Sequence, residues 1–129
     1  MIFNFLKLRA QSFVYAWNGI KILLEKEKNA RIHLCFTIAV IIAGFIFRVS
    51  AFEWIMLCLT IAAVWTAEAF NTAVERTVDL VTAEKKPLAK EAKDLAAGAV
   101  LIFAAASVVV GLIIFLPKIL SLLNVLISE

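Results

Sequence analysis

The chain has 129 residues, 64% of them hydrophobic, and a mean hydropathy of +0.98. A soluble domain is nearer half apolar, and a chain this short cannot bury so much in one core, so a water-soluble globule is excluded and a membrane protein is expected. A net charge of +3 is too mild to argue for nucleic acid, and Cys35 and Cys58 both fall in apolar runs where a disulfide framework is implausible.

Residues 1–29 mix Phe13, Trp17, Ile20 and Leu24 at helical spacing with Lys7, Arg9, Gln11, Asn18 and Lys21. This pattern predicts an amphipathic helix on the membrane surface, its aromatic residues at headgroup depth and its basic residues toward anionic lipid. A helix packed on a protein partner is the alternative. No small-residue cleavage site follows the apolar start, so this segment is expected to stay attached.

The first span is predicted over 32–47, with Arg31 and Arg48 at its ends. The second helix is expected over 52–81, because no Gly or Pro interrupts the run from Phe52 and its residues are good helix formers. Glu84, Lys85, Lys86 and Pro87 mark a loop. A third helix is predicted over 88–116, with an apolar stretch long enough to cross. Pro117 and Lys118 then mark an interface, and 119–129 reads as a short amphipathic tail.

Eleven of the thirteen Lys and Arg lie near the N-terminus or between Arg76 and Lys93, while Arg48 and Lys118 fall on the other side. The basic loops face the cytoplasm by the positive-inside rule. The chain is thus expected to be a single all-α domain over 1–129, with three transmembrane helices and an N-terminal surface helix. An oligomer that hides shared polar residues is the economical arrangement.

The second helix ends in WTAEAFNTAVERTVD. Glu68, Asn71, Glu75 and Asp79 are spaced 3, 4 and 4 apart, so at ~100° per residue they share an arc of about 80°. A carboxylate near hydrocarbon costs several kcal/mol unless it is paired, protonated or metal-bound. Glu27 and Arg31 reach the same rim from the first span, and Lys90, Lys93 and Asp94 from the third. Carboxylates converging with an amide and a lysine suit Mg²⁺ and a phosphorylated ligand, since Mg²⁺ takes oxygen ligands and shares them with phosphates. Gly19, Gly44, Gly98 and Gly111 form no phosphate-binding loop motif. Glu68 lies deepest, where a lipid hydroxyl entering from the bilayer would meet it and a carboxylate could accept its proton. This geometry suggests phosphoryl transfer at the interface.

The same stripe is compatible with a small transporter or proton channel, or with a structural network such as Glu75 with Lys93. His33 reads as a satisfied interfacial histidine, Trp17, Trp54 and Trp65 as anchors or packing residues, and Glu53 as a surface charge paired with Arg48.

The segment EAFNTAVERTVD, Glu68 to Asp79, resembles the signature of the prokaryotic diacylglycerol kinase and undecaprenol kinase family, E-x-[LIVM]-N-[ST]-[SA]-[LIV]-E-x-x-V-D, and departs from it only at Phe70. AKDLAAGAV (Ala92 to Val100), EKNARIHL (Glu27 to Leu34) and SFVYAWNG (Ser12 to Gly19) are also similar to its members. The resemblance implies an ATP- and Mg²⁺-dependent lipid kinase of the bacterial cell membrane, a homotrimer with sites shared between subunits on the cytoplasmic side. It implies Glu68 as catalytic base and Glu27 and Glu75 as metal ligands. Asn71, Lys93 and Asp94 match positions of the nucleotide site, Tyr15 a nucleotide contact, and Glu84, Lys85 and Lys86 the flanking loop. Lys86 stands where many relatives carry histidine, and Ala16 where diacylglycerol-specific ones carry serine. The lipid is left open between undecaprenol and diacylglycerol.

Overall fold

The computed structural model describes residues 2–128. They form four helices, α1 (Ile2–Lys26), α2 (Lys28–Ile46), α3 (Ala51–Val81) and α4 (Pro87–Ile127). The last three are long and apolar enough to cross a membrane, as the spans predicted from the sequence required.

One residue separates α1 from α2. Glu27 is extended at φ −100°, ψ 123°, and its side chain makes no cap to α2. Leu23 is buried near the end of α1, whereas Phe13, Tyr15 and Trp17 are exposed. Ile20, Leu23 and Leu24 line a cleft with Leu34, Trp65 and Phe70. The C-terminal half of α1 therefore leans on α2 and α3. The Trp65 indole Nε1 donates to Thr37 Oγ1 at 3.0 Å, which makes Trp65 a packing residue between α2 and α3.

The turn from α2 to α3 is tight. Arg48 adopts a left-handed φ of 49°, and Ser50 closes a capping box with Glu53: the Ser50 amide donates to Glu53 Oε2 at 2.6 Å, and the Glu53 amide donates to Ser50 Oγ at 3.3 Å. The expected Glu53–Arg48 pair is replaced by Glu53–Lys118 at 3.1 Å. The cap holds the Glu53 carboxylate at the start of α3 as α4 passes alongside. Gly44 lets the Trp54 ring close on the end of α2.

Helices α3 and α4 run antiparallel, with Lys93 joined to Asp79 at one end and Lys118 to Glu53 at the other. Near the second pair sits a small core of Val49, Leu57 and Ile114, flanked by Trp54, Val110 and Phe115. Most other apolar side chains are exposed, the surface that helices in lipid present.

The last helix departs from expectation. It does not stop at Leu116 but runs through Pro117 to Ile127. Proline removes one backbone donor, which membrane helices tolerate, and the apolar residues on both sides continue the helix. The expected amphipathic tail is its final turns, where Ser121, Asn124 and Ser128 share a face with Pro117.

Candidate active site

The stripe on α3 grades from dry to wet. Glu68 is only 2% exposed, Asn71 and Thr72 are buried, Glu75 is half-buried and Asp79 is exposed. The gradient follows from α3 running out past the helices packed on it, so that each turn toward Val81 meets fewer neighbours. Glu68 Oε2 and Asn71 Oδ1 are buried without a hydrogen-bond partner among the described residues. Left so, such atoms cost about 1–3 kcal/mol each, so they call for a partner, whether water, ion or substrate.

Three groups of polar residues surround this stripe. The innermost is a cavity of about 240 Å³ between α2, α3 and α4, where Asn29, His33, Glu68 and Asn71 meet Ala97 and Leu101. His33 Nε2 stands 3.9 Å from Glu68 Oε2. Next, Asn71 Nδ2 donates to Glu75 Oε1 at 3.1 Å, and Arg76 donates to Glu27 Oε1 at 2.8 Å. The break between α1 and α2 leaves the Glu27 carboxylate free of capping duty, and it turns to α3. Outermost, a cavity of about 550 Å³ at the α3–α4 loop is lined by Asp79, Glu84, Lys85, Lys86, Lys93 and Asp94.

The alternative pairing of Glu75 with Lys93 is not made; Lys93 donates to Asp79. The antiparallel register explains this. The pairs 79/93 and 53/118 place Glu75 opposite Ala96 and Ala97, a turn away from Lys93. Asp94 is held by Lys90 on its own helix, and Glu84 lies 3.4 Å from Lys86. Tyr15, exposed on α1, lines neither the inner nor the outer cavity.

Three residues to which the sequence reading gave no role in the site stand beside the stripe. Asn29 and His33 are four apart on α2, a one-face spacing that the lone-histidine reading passed over. Arg76 gave no local signal, because its partner Glu27 is 49 positions away.

No group of three or more His, Cys, Asp or Glu stands ready to hold a metal among the described residues. Glu27 and Glu75, each held by a neighbour on α3, Arg76 and Asn71 respectively, are oxygen donors of the kind Mg²⁺ takes. That ion keeps several waters and needs only one or two protein carboxylates when substrate phosphates complete its shell.

An apolar groove of about 320 Å³ adjoins the inner cavity. It is lined by Phe36, Val40, Leu57, Ile61 and Val108, and the two spaces share Ile32, His33 and Ala104. The arrangement offers a dry slot for a chain, a carboxylate at its polar end and a cluster of charge toward water.

The family described as prokaryotic diacylglycerol kinase matches residues 14–115. An undecaprenol kinase of Bacillus subtilis (strain 168) is 47% identical over 108 residues, covering 84% of this chain and 88% of that protein. A diacylglycerol kinase of Synechocystis sp. (strain ATCC 27184 / PCC 6803 / Kazusa) is 43% identical over 113 residues, 87% of this chain and 65% of the relative. These matches give no support to the transporter or channel reading.

Proposed function

Because the chain belongs to the prokaryotic diacylglycerol kinase family and is a membrane lipid kinase that uses ATP, we propose that it phosphorylates undecaprenol, with Glu68 as the general base. The observation that carries this reading is the buried Glu68 carboxylate, with Oε2 unpartnered, beside an apolar groove. The higher identity and fuller coverage of the undecaprenol kinase favour that alcohol over diacylglycerol.

In the reaction the lipid hydroxyl gives its proton to Glu68 as its oxygen bonds to the γ-phosphorus of ATP. The bond to the bridging oxygen of the β-phosphate breaks, and ADP leaves. Glu27 and Glu75 would hold Mg²⁺, which would offset phosphate charge when bound. Asn71 orients Glu75, an assignment supported by their 3.1 Å hydrogen bond. Lys93, with Asp94 beside it, meets the charge that develops on the phosphates. Tyr15, Glu84, Lys85 and Lys86 contact the nucleotide, in keeping with the similarity of their surroundings to family members. Positioning and electrostatics supply most of the rate.

The reading includes a homotrimer whose neighbouring chains complete each site, with α1 on the membrane surface and the site on the cytoplasmic side of the bacterial cell membrane. In its support, Tyr15, Lys93 and Glu68 occupy separate places on one chain, and the helices leave extensive apolar surface exposed.

The test is transfer of labelled γ-phosphate from ATP to undecaprenol and to diacylglycerol in mixed micelles, with and without Mg²⁺. Undecaprenol should be the better acceptor, and only with Mg²⁺. Glu68→Gln should lower transfer at least about a hundredfold while the oligomer stays assembled. Transfer to neither lipid by the assembled protein, or near-normal turnover in Glu68→Gln, overturns the assignment.

A further inference from the structure

His33 is the single histidine of the chain and stands where two cavities meet. Its side chain is 19% exposed and shares the inner cavity with Glu68. It also walls the apolar groove, between Phe36 and Thr37 on its own helix and Trp65 on α3. A histidine held merely for packing needs no such position.

The distance from His33 Nε2 to Glu68 Oε2, 3.9 Å, is too long for a hydrogen bond. It is the right span for one oxygen between them. An oxygen about 2.8 Å from each atom would subtend an angle of about 90° at itself, tighter than tetrahedral, and widening the gap by a little over half an ångström would bring it to the ideal. The carboxylate oxygen facing this gap has no other hydrogen-bond partner. One small polar group placed there would satisfy both side chains at once.

We propose that His33 is a second catalytic residue of the lipid kinase, whose imidazole donates its Nε2 proton in a hydrogen bond to the oxygen of the acceptor alcohol while Glu68 holds the hydroxyl proton. This rests on the kinase reading with Glu68 as base. The alcohol oxygen has one proton and two lone pairs. Glu68 takes the proton and His33 binds one lone pair, so the second is aimed at phosphorus. His33 keeps its own proton throughout, and the transferred proton ends on Glu68. Fixing the oxygen by two contacts turns a lipid head free to rotate into one held near the attack geometry. The carbon next to the hydroxyl then points into the apolar groove, where the lipid chain lies.

Two substitutions and one spectroscopic measurement test this. His33→Phe keeps a flat ring and removes the donor; His33→Gln keeps an N–H at similar reach. His33→Phe should lower kcat/KM for undecaprenol by about 30- to 100-fold with KM for ATP unchanged, and His33→Gln should stay within about fivefold of the parent. In the unsubstituted protein, the ¹⁵N signal of the single imidazole should shift when undecaprenol is added to micelles without nucleotide, a readout that does not depend on whether either variant folds. An unaltered signal, full activity in His33→Phe, or equal losses in both variants overturns the role of His33. If Glu68→Gln is inactive while His33→Phe is fully active, only the His33 role fails. If no lipid is phosphorylated by the parent protein, the kinase reading fails first.

Discussion

Replacing Gly44 by alanine tests the packing that sets the α2–α3 turn. A Cβ at this position would lie 2.5 Å from Trp54 Cη2, 2.8 Å from Cζ2 and 3.2 Å from Cζ3. Carbon atoms rest about 3.5–4.0 Å apart, so the ring must retreat by about 1 Å. It does not move alone, because Phe45 packs on it with centroids 5.1 Å apart at 53°. Overpacking of this kind costs about 1–3 kcal/mol. Unfolding in mixed micelles with rising SDS, followed by circular dichroism, gives the loss for Gly44→Ala, for Trp54→Leu and for the two together. The cost of Gly44→Ala should largely vanish in the Trp54→Leu background, a coupling of at least about 1 kcal/mol. A Gly44→Ala protein as stable as the parent, or one destabilised equally in both backgrounds, would refute the reasoning.

Other expectations concern the site and its supports. Arg76 occupies the Glu27 carboxylate proposed as a metal ligand, in a partly exposed pair worth about 0.2–1 kcal/mol; Arg76→Gln should therefore lower the Mg²⁺ concentration for half-maximal transfer, by up to about fivefold. A higher Mg²⁺ requirement would show that Arg76 assists the bound state instead. Lys93→Met should cut kcat/KM for ATP about a hundredfold, while Asp79→Asn, which only frees the lysine, should change it little; equal losses would make the pair structural. Ser50→Ala removes the side-chain acceptor at the start of α3 and should cost about 0.5–2 kcal/mol in the same SDS titration. An unchanged midpoint there would mean that Glu53 caps the turn without help.

The helices and the stripe were legible because both are periodic and local. Glu68, Asn71, Glu75 and Asp79 needed only the helical repeat to share a face, and hydropathy alone located the spans. Partner choice was another matter. That Glu53 takes Lys118 and that Lys93 takes Asp79 depends on the register between α3 and α4, which no spacing along one helix encodes. The Glu27–Arg76 pair depends on a one-residue break in the helix. His33 was read as an interfacial histidine because a lone polar residue at the start of an apolar run looks like a boundary mark, and the carboxylate that faces it from α3 is 35 positions away. The end of α4 was misread because Pro117 removes a backbone donor and reads as a stop, whereas the apolar residues on both sides carry the helix through it.

The two ion pairs that pin α3 to α4 also form a ruler. From Glu53 to Asp79 is 26 residues, and from Lys93 to Lys118 is 25, so each helix carries its charges about 38–39 Å apart. This exceeds a ~30 Å hydrocarbon layer by about 8–9 Å, so the two pairs cannot both lie inside it. A thicker bilayer would draw one pair into the acyl region, and a thinner one would leave apolar turns in water. Either mismatch shifts the depth of Glu68 relative to the alcohols floating beside it, so membrane thickness is a physical variable through which lipid composition reaches the reacting group.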